Sequence, residues 1–207
     1  VDPINDLKSI KNKTEIKNLK DCEDRILAKD IFSEINVPEF DNSAVDGFGF
    51  INSNKIEREL EIIGESRPGK PFLKKIKKNQ AIKIYTGAYI LRDITRVNTV
   101  CMEEDCFSDG KKLRITKKFK TGNNIRMKGE DVKKKQRIFL SGRKIRSMDL
   151  AQLSSIGIKT IKVFKKIRVG IFSSGDELCE FPKKKSKYKI YDANKLVLVS
   201  LFKKIGC

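Results

Sequence analysis

Apolar residues near the start of the chain recur at helical intervals. Ile4, Leu7 and Ile10 share one stripe of a short helix expected over residues 3–12, and Thr14 is placed to cap a second helix through Ile16, Leu19 and Cys22. The run from Arg25 to Ile31 leads into extended chain ending at Val37-Pro38, where the proline biases its neighbour away from helix. From about Ile51 to Phe139 the pattern shortens to β-like runs at 60–63, 81–85, 98–102 and 112–117. Turn formers separate them, among them Arg67-Pro68-Gly69-Lys70-Pro71, Ser108-Asp109-Gly110 and Thr121-Gly122-Asn123. A small β-rich domain is expected there. Helical spacing returns at Ser147, read as the N-cap of a helix through Met148, Leu150, Ala151, Leu153 and Ile156, with Gly157 as its stop. Residues 167–172 then read as a strand, 173–177 as a loop and 192–205 as an amphipathic helix, the order that opens an α/β domain. One strand and one helix cannot bury their faces unaided, so the rest of that sheet is expected beyond Cys207.

A chain of 207 residues accommodates one large or two small domains. Its formal charge of +19 raises the question of a polyanionic partner. Of the 46 basic residues 35 are Lys and 11 Arg, and Ile and Asn are plentiful too, as AT-rich coding gives without selection for phosphate contact. Arg, the residue suited to bidentate contacts, is not the enriched one, and no nucleic-acid partner is expected. The excess sits mid-chain, where residues 51–167 carry 30 basic against 12 acidic side chains. Five cysteines without a CxxC pair, in a chain without His, exclude a Cys/His zinc site and point to a reduced, cytoplasmic protein. No stretch approaches the roughly 20 apolar residues of a membrane span, and the first ten residues lack a signal-peptide core. The chain starts without Met and stops directly after a helical pattern, so a fragment of a longer protein is expected.

Three segments are denser in small, polar and acidic residues than a strand or helix needs. In the first, Val37 to Phe48, the residues Asp41, Asn42, Ser43 and Asp46 crowd ahead of Gly47; an Asx-rich turn would explain the same composition. The second, Thr121 to Asp131, sets Arg126 and Lys128 just before Glu130 and Asp131. Such a loop can hold an anion with its cations while Asp131 orients a metal or a proton, or it can be a turn with a weak surface ion pair. The third runs Phe172-Ser173-Ser174-Gly175-Asp176-Glu177-Leu178, with Tyr191-Asp192-Ala193-Asn194 ahead of the last helix. In open α/β sheets ligands collect beyond the C-terminal ends of strands, and acidic groups there act on phosphates through a hard divalent cation.

Together with Gly64-Glu65-Ser66, Gly69-Lys70-Pro71, Ile84-Tyr85-Thr86-Gly87-Ala88 and Ser155-Ile156-Gly157, these segments occur in the order and spacing of the MoeA family. The chain resembles the N-terminal half of that family, whose eukaryotic counterpart is the C-terminal region of gephyrin. The resemblance implies an α+β multidomain fold. Residues 1–41 and 140–166 would form a discontinuous, elongated helical domain, 42–139 an inserted β-rich domain, and 167–207 the start of a truncated α/β domain of molybdopterin-binding type. It further implies a cytoplasmic homodimer with its cleft between the third domain of one subunit and the second of the other. The implied reaction inserts molybdenum from molybdate into adenylated molybdopterin and releases AMP, with Mg²⁺ as the cofactor, Zn²⁺ as the alternative, and a MogA-type adenylyltransferase as a partner. By motif position Asp46, Asp131 and Glu177 would be the catalytic carboxylates, with Asp46 and Glu177 on the metal. Thr86, Arg126, Ser174, Gly175 and Asp176 would contact substrate.

The chain departs from the family pattern at Met127-Lys128, where Arg-Arg is usual, at Tyr89-Ile90-Leu91-Arg92, which replaces a proline-containing run, and at Asp24, where a Gly is usual. The family's Ser-Gly-Gly-Val-Ser and Gly-Leu-Pro-Gly-Asn-Pro segments and its C-terminal β-domain are not among the 207 residues, and this polypeptide alone is expected to be inactive. A non-catalytic, gephyrin-like scaffold is the rival reading, and the acidic set argues against it, because a scaffold has no need of carboxylates in anion-binding loops.

Overall fold

A computed structural model of the chain describes residues 13–53 and 59–207; the helix expected over residues 3–12 lies outside them. In chain order the elements are β1 (Thr14–Asn18), β2 (Ile31–Phe32), β3 (Asn42–Ser43), β4 (Gly47–Phe50), β5 (Glu59–Ser66), β6 (Gln80–Ile84), α1 (Arg92–Thr95), β7 (Thr99–Met102), β8 (Cys106–Ser108), β9 (Lys112–Ile115), β10 (Ile125–Arg126), β11 (Arg137–Phe139), α2 (Ser147–Ser155), β12 (Thr160–Phe164), β13 (Leu178–Cys179), β14 (Ile190–Tyr191) and α3 (Ala193–Lys204). The chain divides into two compact units, Val1–Asp30 with Phe139–Cys207, and Ile31–Ile138. The second starts ahead of position 42 because its two ends are laced together: Ser33 N–H donates to Gln136 O (2.9 Å), Lys135 N–H to Ser33 O (2.6 Å), and Val37 N–H to Val132 O (2.7 Å).

The 31–138 unit is built on a six-stranded sheet in the order β7-β4-β6-β5-β9-β8, antiparallel except for the β5–β6 pair. Strand alternation sends side chains to opposite faces. Phe48, Phe50, Ala81 and Cys101 pack with Leu60, Leu113 and Ile115 on one side. Ile82, Ile84 and Val100 pack with Ile76, Ala88, Ile90 and Val97 on the other. Both faces are covered, so β4 is buried along its whole length. The sequence pattern assigns no strand to Gly47-Phe48-Gly49-Phe50. The two glycines let its neighbours approach: a Cβ on Gly47 would stand 1.8 Å from Cys101 O, a backbone atom.

In the other unit, the helix expected from Thr14 is instead strand β1, paired antiparallel with β12 from Thr14↔Phe164 to Asn18↔Thr160. A helix this short is marginal without tertiary support, whereas the distant β12 offers a full ladder. Only the turn Leu19–Asp21 is helical, of 3-10 type, and buries Leu19. Arg25, 7% exposed, clamps the pair by donating to Glu15 Oε1 (2.5 Å) and Phe164 O (2.7 Å). Among the described residues of 13–41 and 140–166 the one α-helix is α2, so this part is mainly extended chain and not helical. Ser147 is the first residue of α2, not its cap. Asp149 does the capping: its Oδ2 accepts from Arg146 N–H (3.0 Å), and both oxygens accept from the Arg143 guanidinium (2.8 and 3.0 Å). Gly157 follows at φ 78°, a left-handed stop that suits glycine.

Asp149→Ala should remove the cap and leave Arg143 unpaired, at about 2 kcal/mol in urea denaturation. Arg143 first, then the Arg146 N–H, hold this carboxyl below its ordinary value of 3.8. A depressed folded pKa gives stability that is complete above the unfolded value and lost as pH falls through the folded one. Asp149→Asn should therefore flatten the acid limb of the stability profile below about pH 4.

The strand expected at 167–172 is absent, since no described strand runs alongside to accept its ladder. The parallel two-residue pair β13–β14 forms just after it. Helix α3 starts as expected, with Asp192 Oδ1 accepting from Lys195 N–H (3.0 Å). Its apolar residues Leu196, Leu198 and Leu201 are exposed. No described helix is long and apolar enough to cross a membrane.

Candidate active site

Two of the motif segments and the Tyr85-Thr86-Gly87-Ala88 turn meet at one edge of the 31–138 unit. The backbone ties them: Ser43 N–H donates to Ala88 O (3.0 Å), Gly87 N–H to Ser43 O (2.8 Å), Ala44 N–H to Asn124 O (2.9 Å) and Gly129 N–H to Pro38 O (2.9 Å). Strand β3 pairs with β10, setting Asn42 opposite Arg126. Gly87 and Gly129 sit at φ 80° and 72°, left-handed turns that a side chain would strain.

Asp46 and Thr86, 40 residues apart, are in direct contact. Asp46 Oδ1 accepts from Thr86 N–H (2.6 Å) and from Thr86 Oγ1 (2.8 Å). The Thr86 N–H first, then its hydroxyl, keep the Asp46 carboxyl below the usual aspartate value, and the Lys83 charge adds to the effect. The carboxylate is therefore ionised at neutral pH, and the hydrogen bonds described at it all fall on Oδ1. Nearby, Arg67 and Lys83 stand 5.2 and 5.6 Å from the Tyr85 ring centroid, and Glu65 and Glu103 pair with them.

The second predicted pair is also in contact. Arg126 Nη2 lies 2.7 Å from both oxygens of Asp131, and Nε lies 3.4 Å from Glu130 Oε1. Asp131, and secondarily Glu130, raise the guanidinium pKa further above its ordinary value. Asp131 is thus the tether that aims Arg126. Both side chains stay 40–49% exposed, so the guanidinium remains accessible.

Sequence reasoning gave no site role to Asp41, Lys83 or Arg92. Asp41 Oδ1 accepts from Lys128 N–H (2.8 Å), and Oδ2 pairs with Arg92 Nε (2.7 Å). Asp41 was legible as a motif residue, but the partners that define its role lie 51 and 87 positions away, and no local pattern announces them.

Glu177, Ser174, Gly175 and Asp176 belong to the other compact unit. Their loop is fixed from behind by Ile190 N–H to Glu177 O (2.8 Å) and Leu178 N–H to Gly175 O (3.0 Å). The Glu177 carboxylate folds back over Gly175, 2.7 Å from where a Cβ would stand. The Ser173 hydroxyl donates to Asp192, and with the Lys195 N–H it keeps that carboxyl below its usual value.

Among the described residues no group of three or more Cys, Asp or Glu side chains could hold a metal ion. Asp46 Oδ1 is engaged by Thr86, and both Asp131 oxygens by Arg126. Mg²⁺ takes six oxygen ligands and Zn²⁺ ordinarily four ligands. The carboxylates as arranged here do not fit a Mg²⁺ or Zn²⁺ centre by themselves.

The sequence profile of the MoeA N-terminal region (domain I and II) matches residues 3–157. The chain belongs to the MoeA family. It is 35% identical over 195 residues to a molybdopterin molybdenumtransferase of Haemophilus influenzae, covering 94% of this chain and 48% of that protein. A molybdopterin molybdenumtransferase of Bacillus subtilis is 30% identical over 188 residues, covering 87% and 44%. Two crystal structures of the MoeA molybdopterin biosynthesis protein of Pyrococcus horikoshii superpose with TM-scores of 0.85 and 0.83, at 28% and 33% identity; they cover 98% and 94% of this chain against 53% and 52% of theirs. The chain thus spans about half the length of the curated relatives it matches. Two departures from the family pattern, Tyr89 to Arg92 and Met127-Lys128, also touch one another: Arg92 Nη2 lies 3.2 Å from Met127 Sδ.

Proposed function

We propose that the chain is the N-terminal portion of an enzyme that inserts molybdenum from molybdate into adenylated molybdopterin, with water cleaving the phosphoanhydride and AMP leaving. The observation that carries this reading is the meeting of Asp46–Thr86 and Arg126–Asp131 on one loop edge. Such chemistry brings an oxyanion and a pyrophosphate group together, and it needs an accessible cation to offset their repulsion and a carboxylate kept ionised to orient water. Arg126 and Asp46 have those properties. Asp131 acts as the positioning group for Arg126, and Thr86 for Asp46. Ser174, Gly175, Asp176 and Glu177 form a second ligand loop in the same protein, and the backbone bonds behind Glu177 pre-set its direction.

The three-domain division at 1–41 with 140–166, 42–139 and 167–207 belongs to the same proposal. So do the cytoplasmic homodimer, the MogA-type adenylyltransferase that supplies the substrate, and a divalent cation whose remaining ligands come from outside the residues described. AMP release from adenylated molybdopterin, followed by chromatography, tests it. A chain extended to the length of its relatives should release AMP in a molybdate-dependent way, and residues 1–207 alone should not. Turnover by the 207-residue chain, or none by the extended one, would overturn the assignment.

A further inference from the structure

Arg92 opens helix α1, and Met127 and Lys128 follow strand β10, 35 and 36 positions on. Asp41 joins the two segments, with one oxygen on the Lys128 N–H (2.8 Å) and the other on Arg92 Nε (2.7 Å). Arg92 Nε is fully buried and faces the Asp41 charge at ion-pair distance without a hydrogen bond of its own, while the Arg92 side chain is 35% exposed. Its described outer contact is Met127 Sδ at 3.2 Å. A thioether is a weak acceptor, so that contact leaves the outer nitrogens available to a stronger one. Met127 is itself half-exposed and adjoins Arg126, whose guanidinium Asp131 and Glu130 hold from one side in the same manner. One guanidinium, of Arg92, thus reaches the side chain of Met127, and the other, of Arg126, is carried by the residue next to it in sequence. Lys128 adds a third cation, with Nζ 5.7 Å from the Phe40 ring centroid.

A guanidinium already ordered by a carboxylate loses less entropy on binding an anion than a free one, and its planar fork matches the oxygens of a phosphate group. We propose that Arg92 is a second guanidinium contact beside Arg126 for the phosphate-bearing part of the ligand, with Met127 as the neutral spacer between them. This rests on the reading of the Arg126 loop as an anion site. Asp41 is the positioning residue that sets Arg92 there.

The test is calorimetric titration of the 207-residue chain with inorganic pyrophosphate at low salt, beside thermal denaturation of each variant. Wild type should bind, and Arg92→Gln and Arg126→Gln should each weaken binding by about fivefold or more, as loss of a charge-assisted fork implies. Arg92→Lys keeps a cation for Asp41 but not the fork; it should fold as wild type does and bind about threefold more weakly. The deciding variant is Arg92→Gln with Met127→Arg. It returns a guanidinium to the same place without rebuilding the Asp41 pair, and should bring affinity back to within about twofold of wild type. If it does not, Arg92 acts only through Asp41, and the proposal is overturned. It is equally overturned, with the anion site intact, if both Arg92 variants bind as wild type does while Arg126→Gln binds more weakly. If wild type fails to bind, or Arg126→Gln is also without effect, the site reading falls together with it.

Discussion

Gly47→Ala is expected to unfold the 31–138 unit. The new Cβ would stand 1.8 Å from Cys101 O, 2.9 Å from Cys101 C and 3.1 Å from Met102 Cα, all backbone atoms of the paired strand β7. A carbon on a carbonyl oxygen needs about 3.3 Å, so no rotamer change relieves the clash and the β4–β7 ladder must part. Both faces of that ladder carry core: Phe48 and Cys101 on one side, Val100 on the other. The loss should exceed about 4 kcal/mol, against a typical domain stability of about 5–15 kcal/mol. Loss of soluble yield and of the cooperative thermal transition would report it. Gly49→Ala is the internal comparison. There the nearest atom is Val97 Cγ1 at 3.0 Å, the tip of a side chain that can shift, and the expected cost is about 1 kcal/mol. Equal stability of the two variants would contradict the close approach at Gly47.

Asp46→Ala should lower AMP release by the family-length protein by about 10²–10³-fold, the usual range for a positioned general base or charge stabiliser, while leaving the thermal transition nearly unchanged. Thr86→Val keeps the backbone donor and removes only the hydroxyl, so its effect should be about tenfold. The pH profile separates the roles. Thr86 holds the Asp46 carboxyl below its ordinary 3.8. Wild type should therefore show no Asp46-dependent acid limb above about pH 4. Losing one of the two Thr86 bonds raises the folded pKa, so the limb of Thr86→Val should move to higher pH. An unmoved limb, or unaltered turnover by Asp46→Ala, would remove Asp46 from the chemistry.

The parts of the fold legible in the sequence are those whose partners impose a short period. Strands β5, β6, β7 and β9 fall where alternating apolar runs predict them, and α3 begins at the Asp192 that caps it. Strand β1 was misread because Ile16 and Leu19 also fit helical spacing, and its choice of strand is made by β12 at the far end of the chain. Strand β4 was not expected because two glycines in four residues give no strand signal until the close approach of β7 explains them. The site followed the same division. Asp46, Thr86, Arg126 and Asp131 were found through their motifs, but the pairs they form are tertiary facts, as is the link from Asp41 to Arg92 and Lys128.

The closed neck at Ser33 and Gln136 has a kinetic consequence. Pairing Asn18 with Thr160 in an open chain means closing a loop of about 140 residues; with the neck already joined, the free contour shrinks to about 40, which lowers the closure entropy by roughly 1 kcal/mol. The inserted stretch should gain hydrogen-exchange protection first and act as a staple for the segments on either side, so damage confined to its sheet would also slow the zipping of the β1–β12 ladder.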